Sequence, residues 1–325
     1  MLSFLSWIYL IITGLRNFLY DIALFSAYKS KLPVVSVGNI SVGGTGKTPL
    51  VIYLCKKLLE QGKQPVVLSR GYKGSIQGPH LVNSENTYEE VGDEPLLIVN
   101  SASVPVVIAK KRVAGAKFIE SENLGDVIIL DDGFQHRALK RDLDIVCIDA
   151  SSEESVSKFF TDKLIPAGRL RESRSSGFKR ANALVLSLRK KTDDTPAYIE
   201  LAKKKLPSNL PCFVSKISEA KVLKVNDELK PQKIAVFCGI ANPEGFRSTL
   251  ESLGFKIEDF RSFADHYSFN NQDLYELKEL AEVLPLVCTE KDLVRLPQEL
   301  KGKAYTLKTD LQISDDILKL IDINS

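Results

Sequence analysis

The sequence predicts an α/β fold: a mostly parallel sheet with flanking helices, a second and smaller α/β unit behind it, and an apolar helix at the amino terminus. Three observations carry that expectation. Short runs rich in Val and Ile at 33–38, 65–69, 126–130 and 144–148 alternate with helical stretches, the composition and order of strands buried on both faces of a parallel sheet. The first run breaks at once into glycines and then into a helix-forming stretch. The alternation halts at a polar, Lys-rich, Pro-punctuated segment, KKTDDTPAYIELAKKKLPSNLP, and resumes beyond it.

The amino terminus comes first. Residues 2–28 are strongly apolar, yet Thr13, Gly14, Arg16, Asn17 and Asp21 interrupt them, so no unbroken run reaches the ~18 residues of a spanning helix. A secretory signal is disfavoured, because there is no basic start and no small-residue cleavage site. Ser3, Ser6, Thr13, Asn17, Asp21 and Tyr28 follow one another at separations of 3, 7, 4, 4 and 7, which draws one polar stripe along a mostly apolar cylinder. With Trp7, Tyr9 and Tyr20 suited to headgroup level, residues 1–30 read as a helix lying in the membrane interface. A helix packed on the core and a true span are the alternatives.

Next, PVVSVGNISVGGTGKTP reads as a buried strand, a loop and a helix start. Gly43, Gly44, Thr45 and Gly46 let backbone N–H groups approach phosphates, Lys47 meets their charge, and the Thr48 hydroxyl suits a magnesium ion. This is a P-loop, and it makes the first unit P-loop NTPase-like. Ser41 stands where the usual spacing has its first glycine, so the loop is a variant. Pro49 is tolerated in a first helical turn. A glycine-rich turn that binds nothing is the plainer alternative. A helix at 50–61 closes on Gly62, and the strand PVVLS runs into Arg70-Gly71-Tyr72. Val91-Gly92-Asp93-Glu94-Pro95 places two acids in a loop or at a helix start, where a carboxylate either takes a proton from a hydroxyl or caps the helix. The residues alone leave that open.

Further strands are expected at 101–109, 126–130 and 144–148, with a helix at 110–120. VIILDDGFQH brings Asp131 and Asp132 to a strand end, the place of a Mg²⁺-linked acid in a P-loop fold; a solvated strand end is the alternative. PAGRLRE sets Arg169 and Arg171 in a Gly-Pro loop, and Arg70 and Arg112 also follow strand ends. Guanidinium forks at that edge suit ATP phosphates or a phosphorylated substrate, although any one arginine is as readily a solvated surface group. Beyond the boundary, PCFVSKI and KVLKVN read as a two-stranded connector over 209–230. The series KIAVFCGI, a helix at 243–253, FKIEDFRSF, a helix at 271–283, LPLVCTEKD and KAYTLKT then makes a smaller α/β domain over 231–325, opposite the P-loop domain at 31–208. His266 lies in FADHYSF there, and His136 follows the paired aspartates.

Composition narrows the partners. Length 325 accommodates two domains of about 150 residues. The charge of +3, from 44 basic and 41 acidic residues, is no footprint for nucleic acid. The five cysteines are scattered, odd in number and mostly inside apolar runs, which suits buried thiols in a reducing cytoplasm. No Cys-x-x-Cys or His/Cys cluster proposes a zinc site.

Together, SVGNISVGGTGKTP, LSRGYKG, VGDEP, ILDDGFQHRALKRDLDI, PAGRLRE, FCGIANPEGF and FADHYSF resemble one family, the tetraacyldisaccharide 4′-kinases, which phosphorylate a lipid A precursor in Gram-negative bacteria. The resemblance implies ATP and Mg²⁺ near an interdomain cleft, and transfer of the γ-phosphoryl group to the 4′-hydroxyl of tetraacyldisaccharide 1-phosphate. It implies a lipid substrate at the cytoplasmic face of the inner membrane, and no protein partner. Lys47 and Thr48 match its phosphate and metal groups, Asp131 and Asp132 its Mg²⁺-linked acids. Asp93 matches its catalytic base, and His266 the histidine that supports that base from across the cleft. Tyr72, Arg112, Arg169, Arg171 and Glu172 match positions near the active site. Two other readings compete: a P-loop switch ATPase or GTPase, and a nucleotide-binding peripheral membrane scaffold. Guanine recognition wants Asn/Thr-Lys-x-Asp, and Thr289-Glu290-Lys291-Asp292 has Lys and Asp adjacent. A scaffold would phosphorylate no lipid.

Overall fold

A computed structural model describes residues 2–83, 85–192, 194–224 and 227–321. Its first element, α1 (Leu2–Asp21), presents the middle of its polar stripe to the protein, while Ser3 and Asp21 at its ends are exposed. Ser6, Thr13 and Asn17 are the buried residues of the helix. Ser6 Oγ donates to the Leu164 carbonyl at 2.8 Å and accepts from Ala167 N–H at 3.0 Å. Arg137 donates to the Asn17 carbonyl and pairs with Asp21 at 2.7 Å. The outward face is apolar, with Phe4, Trp7, Ile11, Ile12, Leu15 and Phe18 exposed. The helix ends at Asp21, so Tyr28 belongs to the following segment, where its hydroxyl donates to Glu120. By length and mean hydropathy α1 is apolar enough to cross a membrane, which the interruptions in its sequence had spoken against.

The chain then lays down β1 (Val34–Gly38), α2 (Lys47–Glu60), β2 (Pro65–Ser69), β3 (His80–Leu81), α3 (Tyr88–Val91), α4 (Asp93–Ala102) and β4 (Val106–Ile108). The run expected as a strand over 101–109 is thus shorter, because α4 continues to Ala102. After α5 (Arg112–Ser121) come β5 (Val127–Asp131), β6 (Leu143–Asp149), α6 (Glu153–Thr161), α7 (Arg174–Arg180), β7 (Ala183–Lys191) and α8 (Ala197–Lys205). Strands β7, β6, β1, β5, β2 and β4 lie side by side in that order, all parallel, with β3 antiparallel on the edge. Alternation along each strand explains the helices on both faces. Val35, Val37 and Ile129 point into one core with Leu50, Val51 and Leu54 of α2, whereas Val34, Ile128 and Leu130 join Ala116 and Ile119 of α5 in another.

A single long strand, β8 (Cys212–Lys224), replaces the expected two-stranded connector. Its first part pairs parallel with β7, and its second part pairs antiparallel with β13 (Tyr305–Gln312). The two apolar runs in the sequence are one strand because each half finds a different neighbour; the end of the second run, 225–226, lies outside the described residues. A short return, β9 (Asp227–Glu228), pairs back onto β8.

The same sheet continues through β10 (Lys233–Cys238), α9 (Pro243–Ser252), β11 (Lys256–Ser262), α10 (Asn271–Val283), β12 (Leu286–Thr289), α11 (Glu290–Leu293) and α12 (Gln298–Lys301), with α13 (Asp316–Lys319) after β13. Ile234 and Val236 pack with Phe246 and Leu250 of α9, while Ala235 and Phe237 pack with Leu277 of α10. In both halves the strands' C-terminal ends face the same cleft region, where ligands bind in open α/β sheets.

Ile129 sits on the central strand β5 with no exposure. Ile129→Ala should lower unfolding free energy by about 2–5 kcal/mol; a urea midpoint like that of the parent protein would contradict the assignment of this strand to the core.

Candidate active site

Gly46 closes the glycine loop in the left-handed region, at φ 83° and ψ 18°, and no side chain caps the α2 N–H groups that follow it. A Cβ at Gly46 would lie 2.7 Å from Ser187 Oγ, so glycine is required twice over. Open N–H groups and the positive end of a helix dipole suit an anion. Asn39 Nδ2 donates to Thr45 Oγ1 at 3.0 Å and pins the loop from within. Val42 N–H donates to the Arg169 carbonyl at 2.8 Å, which fastens the PAGRLRE segment beside it.

Lys47 Nζ stands 3.6 Å from Asp132 Oδ1, and Arg171 Nη1 donates to both Asp132 oxygens at 3.0 Å. Burial alone would raise the Asp132 pKa, but Lys47 and Arg171 outweigh it and hold the carboxyl below its ordinary range. Asp131 is the opposite case. It is fully buried at the end of β5, and burial, with the charges of Glu94 and Asp132, pushes it up to about 7. Ser69 Oγ donates to its Oδ2 at 3.0 Å, and its Oδ1 has no hydrogen-bond partner. Among the described residues no group of three or more His, Cys, Asp or Glu could hold a metal, so a cation here would draw on few protein ligands.

On the same side of the cleft, Gly92 at φ 91° turns the chain so that Asp93 opens α4; a Cβ there would lie 2.7 Å from the Tyr72 carbonyl. The capping alternative for Asp93 is therefore partial: Gly92 holds the cap position, and the one helix N–H that Asp93 Oδ1 accepts from is that of the adjacent Glu94, at 2.9 Å. The carboxylate faces the second half of the molecule. His266 Nδ1 lies 2.8 Å from Asp93 Oδ2 and 3.0 Å from Oδ1. Lys291 Nζ and Arg295 Nε approach Asp93 Oδ2 at 3.9 and 3.8 Å. The Tyr72 ring meets the His266 ring edge-on at 5.5 Å. Burial would raise the Asp93 pKa, but the His266 hydrogen bond and the Lys291 and Arg295 charges more than offset it, and the carboxyl lies below its ordinary value.

The remaining expected residues divide. Arg112 is buried; its Nη1 reaches only the Ala109 and Lys110 carbonyls at 3.4 Å, and its Nε has no partner. Burial lowers its pKa to about 10. Burial and the charges of Arg112, Arg141, Arg70 and Arg16 take His136 down to about 4. Among the described residues no carboxylate forms a salt bridge with Arg16, Arg70 or Arg112, whose charges all act on His136. Glu172 is engaged elsewhere, buried against Arg180 and Gln135, and Arg169 pairs with Asp162 on the surface. A cavity of about 570 Å³ on the other side of the glycine loop is lined by Gly44, Thr45, Asp149, Arg189, Asn242 and Thr249.

Lys291 and Arg295 were not among the residues expected from sequence, and Glu94 figured there as one of the two acids of its motif. Lys291 had figured only as the residue that spoils a guanine motif. Its place just after the strand VCT, at the ligand-bearing end of a parallel strand, was the available signal.

A parallel sheet that ends in an open helix N-terminus with a lysine, and carries a carboxylate hydrogen-bonded across a cleft to the second half of the molecule, defines a P-loop phosphotransferase. Over residues 1–323 the chain matches the tetraacyldisaccharide-1-P 4′-kinase family, and it belongs to that family. It is 36% identical to the tetraacyldisaccharide 4′-kinase of Desulfotalea psychrophila, over 98% of this chain and 94% of that one. It is 38% identical to that of Chlorobaculum parvum, over 89% and 82%. Its fold is similar to LpxK from Aquifex aeolicus, solved in complex with ATP, with a TM-score of 0.77 and 33% identity over 98% of this chain and 96% of that one. The protein is a kinase with a hydroxyl acceptor, and the switch and scaffold readings give way.

Because the folded Asp93 pKa is depressed, the ionised carboxylate stabilises the protein above the unfolded carboxylate range, near pH 3.9. That contribution is lost as pH falls through the lower folded value. The stability gap between parent and Asp93→Asn, from urea unfolding, should thus be constant near neutrality and shrink only below about pH 4; a gap that closes near pH 6 would contradict the assignment.

Proposed function

We propose that the protein transfers the γ-phosphoryl group of ATP to the 4′-hydroxyl of tetraacyldisaccharide 1-phosphate in lipid A biosynthesis, with Asp93 accepting the hydroxyl proton. The observation that carries this is the Asp93–His266 hydrogen bond across the cleft. A carboxylate held ionised and fixed in direction is a competent base for a sugar hydroxyl. Gly43 to Gly46 and the first turn of α2 would receive the ATP phosphates, and Lys47 would leave Asp132 to meet them. The cavity beside Arg189 and Asn242 would take the nucleoside end. Arg171, already on Asp132, stands within reach of charge that builds on the transferred group. Positioning and charge neutralisation do most of the work in such transfers.

The residues fit a magnesium ion. Asp131 offers a buried carboxylate oxygen with no partner, Thr48 offers a hydroxyl, and hard oxygen donors completed by phosphate and water are what Mg²⁺ prefers. When bound, the ion would neutralise charge on the phosphates. Asp132 has two cationic partners already, so Asp131 is the acid better suited to it.

The unpaired cations Arg16, Arg70 and Arg112 would hold the acceptor's own phosphate, with Tyr72 lining the way to Asp93. Arg169 and Glu172 would act only by holding the loop that carries Arg171. The exposed apolar face of α1 would sit in the cytoplasmic leaflet of the inner membrane. Its bonds to Leu164, Ala167 and Arg137 along the protein's flank favour a helix lying in the interface over a span. We read 31–208 as the P-loop domain, 209–230 as the joint, and 231–325 as the smaller domain that brings His266.

Purified protein with labelled ATP, Mg²⁺ and tetraacyldisaccharide 1-phosphate should yield a lipid bisphosphate, and Asp93→Ala should lower kcat by about 10²–10⁴-fold with ATP affinity nearly unchanged. Joint loss of ATP binding would mark Asp93 as structural. Replacing Ile11 and Leu15 together by Lys should release the protein from phospholipid vesicles without shifting its melting temperature by more than about 2 °C; unchanged cosedimentation would refute the membrane-facing side.

A further inference from the structure

We propose that Lys291 is a positioning residue that sets the ring tautomer of His266, keeping the ring proton on Nδ1 and aimed at Asp93. The proposal rests on the reading of Asp93 as the proton acceptor. Lys291 Nζ lies 3.1 Å from His266 Nε2. An ammonium group has hydrogens to give and no lone pair to offer, so Nε2 is the acceptor of this bond. A neutral imidazole that accepts at Nε2 carries its hydrogen on Nδ1, which is the atom 2.8 Å from Asp93 Oδ2.

The surroundings show why the lysine is needed. Asp265 Oδ2 stands 3.9 Å from His266 Nε2. That separation is beyond a hydrogen bond, but without Lys291 the Asp265 charge would favour hydrogen on Nε2, in competition with Asp93 at Nδ1. Lys291 reverses this by taking Asp265 Oδ1 for itself at 3.1 Å, and it lies 3.8 Å from Glu94. It is well anchored. Thr289 Oγ1 accepts from Asp292 N–H at 3.1 Å at the start of α11, and buried Asp292 accepts from Gly239 N–H at 2.9 Å and pairs with Arg295. The ring has little freedom to turn, because Lys73 donates to the His266 carbonyl at 3.0 Å and Tyr72 meets the ring edge-on.

The chain has three histidines, so selective ¹⁵N-histidine labelling of the full-length protein, with His80 and His136 variants for assignment, resolves the ring of His266 by NMR. The expected wild-type result is hydrogen on Nδ1 and a bare Nε2. Lys291→Met should move hydrogen to Nε2 and lower kcat by about 10- to 100-fold at unchanged KM for ATP. Lys291→Arg, which still only donates, should restore the Nδ1–H tautomer and most of kcat. A wild-type ring protonated on Nε2 would overturn the proposal, even if Lys291→Met failed to fold. So would a Lys291→Met protein that keeps the Nδ1–H tautomer, whatever its kcat. If Asp93→Ala retained transfer, the base reading would fail by itself, and the ring spectra would still decide the role of Lys291.

Discussion

The contact on which the site depends is the hydrogen bond between Asp93 and His266, 173 positions apart in sequence and 2.8 Å apart in space. Neither residue amounts to much alone. Asp93 opens a helix because Gly92 can adopt a positive φ, and His266 sits in a turn with its own φ at 56°. Strain of this kind in a non-glycine residue persists only where neighbouring contacts over-determine it, and here those contacts are Lys73, Tyr72, Lys291 and Asp93. The long strand β8 makes the meeting possible, since it is hydrogen-bonded to both halves of the sheet and holds their ligand-bearing ends towards one another.

Three carboxylates near this cleft have been driven to different states by their surroundings. Asp93 and Asp132 are kept ionised by cations that outweigh burial, whereas Asp131, with one oxygen unpartnered, is pushed up by burial and by neighbouring acids. Groups whose environments push them apart in this way divide the labour of a site. An ionised acid with a fixed hydrogen-bond partner suits proton transfer, an acid shared by Lys47 and Arg171 holds that lysine at the start of α2, and a buried acid short of a partner suits a cation.

Much of this was legible in the sequence, because loops that bind phosphate and strands buried on both faces leave local signatures. The glycine loop, the strand ending in Asp131 and the helix at Asn271–Val283 are set by near neighbours and were read nearly to the residue. Features that depend on distant partners were not. The polar stripe of α1 is visible as a period, but which side it faces follows from Leu164, Ala167 and Arg137, far along the chain. The apolar runs around β8 look like two strands because nothing local says that different neighbours will extend one ladder. Lys291 carries no motif; its meaning lies in being 3.1 Å from a ring nitrogen supplied by another loop.

The central claim is that Asp93 and His266 act as one unit in phosphoryl transfer. A double-mutant cycle on kcat tests it most directly, with Asp93→Ala and His266→Ala singly and together at saturating ATP and lipid acceptor. If the histidine works through the carboxylate, removing it from the Asp93→Ala protein should cost little more, and the two effects should be strongly non-additive. Full additivity, with His266→Ala equally harmful whether or not Asp93 is present, would contradict the account.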